Sequence, residues 1–401
     1  MEKGITLERA NELINLNTKP LGTEEISAAD CDGRVAAEDI CAGIDQPPFP
    51  RSPLDGYALR AADSASAPVS LRVVDTIYAG GWSDVEVHEG ECVRLMTGAP
   101  IPHGCDCVIR QEDTDLGERV VRIEKALKPW QNYCFEGEDF KSGDVIIPRG
   151  TRLCGNALGV LASAGLCRDD VKIKVYKRLR CALICTGDEL VPASVHPLPK
   201  GKIYSSNEAV IASRLKALGC EISLIKGEFS DDGAALAEAI CSAAESCDAV
   251  ITTGGVSVGV KDILHEALPT LGAERIFAGV RLKPGSPVMF SRFNGVPILS
   301  LSGNPFAASA TFELLGRTMI AALTGCNDVL PVRCEAVLAE DFNKKGGRRF
   351  VRGHYADGQV AVPQRNSSGQ LASAVGSNCL AEIPPSDTPL AKGAAVRVWL
   401  I

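Results

Sequence analysis

Between Asp248 and Pro305 three glycine-rich turns interrupt a series of apolar runs, and nothing else in the chain restricts its fold as much. The stretch reads Asp-Ala-Val-Ile-Thr-Thr-Gly-Gly-Val-Ser-Val-Gly (248–259), then Lys-Pro-Gly-Ser-Pro (283–287), then Ser-Gly-Asn-Pro (302–305). A buried strand that runs into Thr-Thr-Gly-Gly ends in a loop with open amides. Glycine accepts φ > 0 there and lets a ligand approach the backbone closely. Three such loops in one alternating β/α segment imply a single anion-binding crevice assembled from several strand ends.

From Cys181 onward the periodicity alternates between strand and helix. Strands are predicted at 181–185, 221–225, 248–252, 287–291 and 297–301. Helices are predicted at 207–218, after Asp231-Asp232, at 262–271 and at 305–323. Gly219 suits a C-terminal cap, and Asp231-Asp232 suit the positive end of a helix dipole. The spacing predicts a doubly wound, mostly parallel sheet covered on both faces. Ligands of such sheets bind outside the carboxyl ends of the strands. Thr-Gly-Asp-Glu (186–189), Thr-Thr-Gly-Gly and Ser-Gly-Asn-Pro all fall at that edge.

The rest of the chain divides around this segment, as 401 residues are too many for one ordinary core. Leu7, Ala10, Leu13 and Ile14 follow Thr6 at helical spacing. Brief β-rich runs from Val69 to Ile147 predict a small β domain, followed by a helix at 156–166 and a strand at 171–175. After Gly325 helical periodicity gives out, and short apolar runs predict a compact β tail.

Composition narrows the function. No apolar run reaches the roughly 18–20 residues of a membrane helix, and the N-terminus lacks a signal-peptide core, so a cytoplasmic protein without membrane partners is expected. The sixteen cysteines are scattered without a Cys-x-x-Cys pair, which points to buried thiols rather than a zinc or iron–sulfur site. A net charge of −8 without a basic, aromatic-laced block argues against nucleic acid. A local anion site can still draw on Arg281, Lys283, Arg348, Arg349 and Arg352.

Several residues carry two readings each. Glu189 either caps a neighbouring helix at a strand exit or stands near a phosphate and holds Mg²⁺. Asp262 is a helix N-cap, a metal or ligand contact, or both. Lys283 is a solvated lysine or an oxyanion clamp stiffened by the following Pro-Gly. Ser302 and Gly303 add amides in front of the Asn304-Pro305 helix start. Upstream, Pro-Pro-Phe-Pro-Arg-Ser-Pro-Leu-Asp-Gly-Tyr-Ala (47–58) forms a stiff strap that delivers Asp55 on a tight turn. Met96–Pro102 and Gly137–Asp144 are further turn-rich signatures.

Taken in order, Leu-Asp-Gly-Tyr-Ala, Arg-Leu-Met-Thr-Gly-Ala-Pro, Gly-Glu-Asp-Phe, Thr-Gly-Asp-Glu-Leu, Ile-Tyr-Ser-Ser-Asn, Thr-Thr-Gly-Gly-Val-Ser-Val-Gly, Lys-Pro-Gly and Ser-Gly-Asn-Pro resemble the MoeA family over nearly the whole chain. These are molybdopterin molybdenumtransferases, related to gephyrin's E domain and its plant counterpart. The resemblance implies an elongated four-part subunit with α/β and β domains: 1–46 plus 140–176 as a discontinuous N-terminal domain, 47–139 as a small β domain, 177–325 as the α/β molybdopterin-binding domain and 326–401 as a C-terminal β domain. It implies a homodimer whose cleft lies between the α/β domain of one subunit and the small β domain of the other. The implied reaction takes adenylylated molybdopterin and molybdate, inserts the metal at the dithiolene and releases AMP, with Mg²⁺ or another divalent cation assisting. The adenylyltransferase that makes the substrate is an implied partner.

By motif, Asp55, Thr97, Glu189 and Asp262 carry over as catalytic positions, and Asp139 less securely. Glu189, Asp262 and one of Asp231 or Asp232 carry over as metal ligands. Thr186, Gly187, Asp188, Gly254, Gly255, Ser257, Gly259, Ser302, Gly303, Asn304 and Pro305 would line the substrate site. Lys283 and Ser286 would hold the oxyanion, with Arg349 or Arg352 and Ser373 reaching in from the tail. The chain departs from the family pattern where Ser286 replaces a second lysine, Ser302 a proline and Val260 an acidic residue. An arginine common shortly before Gly-Glu-Asp is also missing. These departures leave the oxyanion open among molybdate, tungstate and another oxyanion. A non-catalytic molybdopterin-binding scaffold is the alternative from another class.

Overall fold

Apolar runs form the centre of a seven-stranded sheet in the order Glu2–Ile5, Glu274–Val280, Met289–Phe293, Val296–Leu301, Ala249–Thr253, Arg180–Cys185 and Glu221–Leu224. The computed structural model describes residues 1–224, 232–256 and 263–401. Successive strand residues face opposite layers. Leu183, Ile251 and Leu299 pack with the helices Leu7–Asn17, Ser206–Ala217 and Arg317–Thr324. Ile184, Val250 and Ile298 pack under Gly233–Ser246 and Ile263–Leu271. Full burial of each such side chain stabilises the fold by about 1.5–3 kcal/mol. The four strands from Val296–Leu301 to Glu221–Leu224 are parallel, so their carboxyl ends share one edge.

Three features differ from the sequence-based expectation. The pair Met289–Phe293 and Val296–Leu301 is an antiparallel hairpin. Its turn is Asn294-Gly295, with φ of 50° and 86°, the two-residue connection that matches strand twist. Glu274–Val280 is an additional strand, antiparallel to Met289–Phe293 and parallel to Glu2–Ile5. The first strand and helix therefore complete the core of the α/β unit, rather than standing with the other residues of 1–46. Leu7, Ala10 and Ile14 are buried there against sheet residues. Lastly, the expected continuous helix at 305–323 is Pro305–Thr311, a π-helical turn at Phe312–Gly316, and Arg317–Thr324. Within that turn the buried Glu313 ion-pairs with Arg214 at 3.1 Å and with Arg317. Among the described residues, Pro305–Thr324 is the segment of membrane-spanning length and apolarity, and it lies enclosed in the core.

The small β domain is a five-stranded sheet ordered Cys107–Arg110, Gly56–Leu59, Glu91–Leu95, Val69–Ile77 and Val120–Ile123. Thr23–Ser27 pairs with Lys172–Tyr176, and Ile40–Cys41 with Val145–Ile147, tying together the two halves of the N-terminal region. The tail closes into a five-stranded barrel of Val332–Leu338, Gln359–Ala361, Arg349–Ala356, Cys379–Ile383 and Ala395–Leu400. The cysteines carry no disulfide, and many are buried. Burial pushes the thiols of Cys92 and Cys220 up to about 12, as befits side chains used as small hydrophobes.

Candidate functional site

The parallel strands deliver their exits to one open cavity of about 330 Å³. It is lined by Thr186, Gly187 and Glu189, by Gly254, Gly255 and Val256, and by Ser302, Gly303 and Asn304, with Pro287 beside them. The loops are laced at their bases: Thr186 N–H donates to Thr253 O at 2.9 Å, and Gly254 N–H to Leu301 O at 3.1 Å. Among the described residues, no hydrogen bond takes the N–H of Gly187, Gly255 or Gly303. Amides without a partner among the described residues, set along a polar cavity, suit an anion.

Glycine is required at the centre of this arrangement. Gly254 has φ of +96°, and a Cβ there would lie 2.4 Å from Thr186 O and 2.7 Å from Thr186 Oγ1. Gly303 lies beside the same turn, where a Cβ would meet Gly254 Cα at 3.5 Å, an ordinary contact. Asn207, from the Ile-Tyr-Ser-Ser-Asn motif, donates Nδ2 to Gly303 O at 2.9 Å and so braces the third loop. Sequence reasoning quoted that motif without giving Asn207 a role. It likewise passed over Pro287 and Val256, which line the cavity through their place beside the glycine turns.

The carboxylate of Glu189 folds back over Gly187, where a Cβ would lie 2.7 Å from both of its oxygens. Its side chain is exposed at the cavity wall, and no ion pair among the described residues engages it. Asp188 is exposed, and its carbonyl accepts from Lys202 Nζ. Asp232 is the N-cap of Gly233–Ser246, accepting from Ala234 N at 2.9 Å and Ala235 N at 3.3 Å, so its carboxylate serves its own helix. Asp231, Ser257, Gly259 and Asp262 lie outside the described residues, as does Val260.

Ser302, where the family pattern has proline, accepts from Asn304 N–H at 3.3 Å. Pro305 opens the helix, and Asn304 donates Nδ2 to Ser368 Oγ at 3.0 Å. Lys283 is exposed, its backbone zipped to the barrel through Lys283 N–H to Arg348 O at 3.0 Å and Phe350 N–H to Lys283 O at 2.7 Å. Ser286 is exposed on the same turn, just before Pro287.

The tail arginines divide by partner. Arg348 is neutralised by Glu8 and Glu382, each at 2.7 Å. Arg352 is buried at 1% exposure and stacks 4.3 Å from the Phe306 ring. It donates to Ser373 Oγ at 2.8 Å, Ser367 O at 2.9 Å and Arg365 O at 3.1 Å. Arg352 and Ser373 thus clamp the 365–373 loop that holds Asn304, and they reach the cavity through that loop. Arg349 donates to Lys345 O at 2.8 Å, and its Nε is buried without a partner. Lys344 joins this cluster, its ammonium on Asn366. Burial, then Arg349 and Arg352, lowers its pKa.

Asp55 and Thr97 form a unit of their own in the small β domain. Asp55 Oδ1 accepts from Thr97 N and from Thr97 Oγ1, both at 2.7 Å. The Thr97 amide, then its hydroxyl, holds the Asp55 carboxyl below the usual range. Asp139 is exposed beside the strap, its N–H on Gln46 O at 2.9 Å. Among the described residues no hydrogen bond or ion pair joins Asp55 to the cavity.

Residues 5–165 match the MoeA N-terminal region (domain I and II), residues 182–322 a "probable molybdopterin binding domain", and residues 335–401 the MoeA C-terminal region (domain IV). A molybdopterin molybdenumtransferase of Staphylococcus aureus is 36% identical over 375 residues, covering 91% of this chain and 88% of that protein. The chain belongs to the MoeA family. A second MoeA relative, the molybdopterin molybdenumtransferase of Staphylococcus epidermidis, is 33% identical over 92% of this chain and 88% of its own length. The crystal structure of the molybdopterin biosynthesis MoeA protein from Pyrococcus horikoshii superposes with a TM-score of 0.84 at 29% identity, covering 99% of this chain and all of that one. Within the MoeA fold the cavity therefore belongs to the segment matched as the molybdopterin-binding domain, and Asp55 and Thr97 to the N-terminal region.

Proposed function

We propose that the chain is a transferase that inserts molybdenum into molybdopterin, taking adenylylated molybdopterin and molybdate and releasing AMP. One observation carries this reading. In a member of the MoeA family, three strand exits bring to one cavity Gly187, Gly255 and Gly303, whose amides have no hydrogen-bond partner among the described residues. Phosphoryl chemistry asks the protein mainly for positioning and charge neutralisation, which fixed amides supply without reorganisation. The substrate's phosphoanhydride would lie across these amides. Lys283 and Ser286, on the turn that ends in Pro287, would face the molybdate oxygens, Ser286 offering a hydrogen bond where the family pattern has a second charge.

A divalent cation fits what the residues offer. Mg²⁺ is held by one or two carboxylates together with substrate phosphates and waters. Glu189 provides one carboxylate at the cavity wall with no ion pair among the described residues, and it would hold the ion. When bound, the ion would neutralise charge on the phosphate oxygens. Asp55 stands in another domain, which is what a homodimer requires if its cleft is completed by the second subunit.

The test is AMP release from adenylylated molybdopterin. Release that depends on molybdate supports the reading, and no release with any divalent cation overturns it. Tungstate added to the same assay identifies the preferred oxyanion.

A further inference from the structure

Phe49, in the same strap as Asp55, stands edge-on to Trp82 with ring centroids 6.0 Å apart. Trp82 is 67% exposed and Tyr78 64%, so large aromatic surfaces face solvent at one place. The indole is oriented, its Nε1 donating to Asp84 Oδ1 at 3.0 Å, and Gly81 N–H closes the turn on Tyr78 O at 2.9 Å.

Strand register sets this loop beside Asp55. Ile77 pairs with Leu95, Met96 N–H donates to Ile77 O at 3.1 Å, and a Cβ on Gly98 would meet the Ala79 methyl at 3.9 Å. On the other side Ser52 N–H donates to Ala99 O and Ile101 N–H to Pro50 O, both at 2.9 Å. The turn from Thr97 to Ala99 is therefore flanked by the Tyr78–Trp82 loop and by the strap, and Asp55 caps it. Asp55 Oδ1 takes both bonds from Thr97, while Oδ2 has no hydrogen-bond partner among the described residues. The Thr97 amide and hydroxyl hold the carboxyl below its usual range and fix its orientation. A fixed anionic acceptor thus stands at the edge of an exposed π surface.

We infer that this rim binds the pterin ring of the substrate, with Trp82 and Tyr78 stacking on the heterocycle and Asp55 Oδ2 accepting from its ring N–H and exocyclic amine. The inference rests on the molybdopterin reading above and assigns a division of labour within it. Arg94 faces Asp55, and the Asp55 carboxylate suits a ring edge that presents two adjacent donors. The adenine edge offers a donor beside an acceptor and meets a carboxylate less well. The anionic end of the substrate is left to the amides of the α/β cavity.

Equilibrium dialysis of the full chain against neopterin tests this directly. Trp82→Ala is expected to raise the Kd about tenfold or more, the scale of a lost base–aromatic stack, and Trp82→Phe to recover most of the affinity. Asp55→Asn and Tyr78→Ala are expected to weaken binding as well. Trp130→Ala, in the separate Trp130–Tyr133–Phe135 cluster, is expected to leave it unchanged. Adenosine at equal concentration is expected not to compete. An unchanged Kd in Trp82→Ala, or equal competition by adenosine, overturns the assignment. So does a shift of Trp82→Ala from a larger species to monomer in sedimentation, since the patch would then be a contact between copies of the chain. AMP release with an unchanged neopterin Kd in Trp82→Ala sinks the rim and spares the insertase reading. Neopterin binding by a wild-type chain that releases no AMP does the reverse.

Discussion

Gly254→Ala is expected to cut molybdate-dependent AMP release by a hundredfold or more while leaving the fold intact. At φ of +96° an L side chain is strained, at a cost of about 1–2 kcal/mol. The larger effect is geometric. The new methyl would sit 2.4 Å from Thr186 O, a backbone atom that can yield only by moving the whole Thr186–Glu189 exit. A shift of Gly254 itself is opposed by its own anchor, the N–H on Leu301 O at 3.1 Å. Two of the three amide-bearing loops would therefore separate. Misplacement of about 1 Å in such a site costs roughly a hundredfold in rate. Circular dichroism of the variant is expected to match wild type, since the sheet ends before Gly254. Near-normal turnover in Gly254→Ala would mean that the loops do not act as one site.

Gly56→Ala is expected to act first on stability, and through it on the Asp55–Thr97 unit. Gly56 begins the strand Gly56–Leu59, held between Glu91–Leu95 and Cys107–Arg110. A Cβ there would lie 1.8 Å from Ile109 O and 2.9 Å from Ile109 C. Both are backbone atoms of the neighbouring strand, so relief requires the two strands to part. Overpacking of this kind costs about 3 kcal/mol or more. Denaturant unfolding is expected to show the small β domain melting first, while the transition of the α/β unit stays in place. Asp55 immediately precedes Gly56, so its cap on Thr97 would be lost in the same variant. A single transition at the wild-type midpoint would show that the close approach is not maintained in solution.

The α/β segment was legible because strand and helix periods alternate there and each strand exit carries its own glycine signal. The carboxyl-edge rule brings Thr186, Gly187, Glu189, Gly254, Gly255, Ser302, Gly303 and Asn304 to one edge, and these residues line one cavity. What stayed hidden was non-local. Glu2-Lys3-Gly4-Ile5 is a short polar edge strand whose only cue is its partner Glu274–Val280, far away in sequence. The hairpin direction of Met289–Phe293 was available in Asn294-Gly295, a turn signal that a parallel reading of the sheet overrode. The π-helical turn at Phe312–Gly316 surrounds a carboxylate whose partners Arg214 and Arg317 are known only once the helices pack. For the tail, charge alone could not separate Arg348, already paired with Glu8 and Glu382, from Arg352, which clamps a loop, or from Arg349.

The account depends most on the three strand exits acting as one anion cradle, and a crystal structure of the protein soaked with AMP and molybdate tests that most directly. The expected result is the AMP phosphate within hydrogen-bond reach of the Gly187, Gly255 and Gly303 amides, with the oxyanion on the Lys283–Pro287 turn. A phosphate bound elsewhere, with those three amides still unengaged, would contradict it.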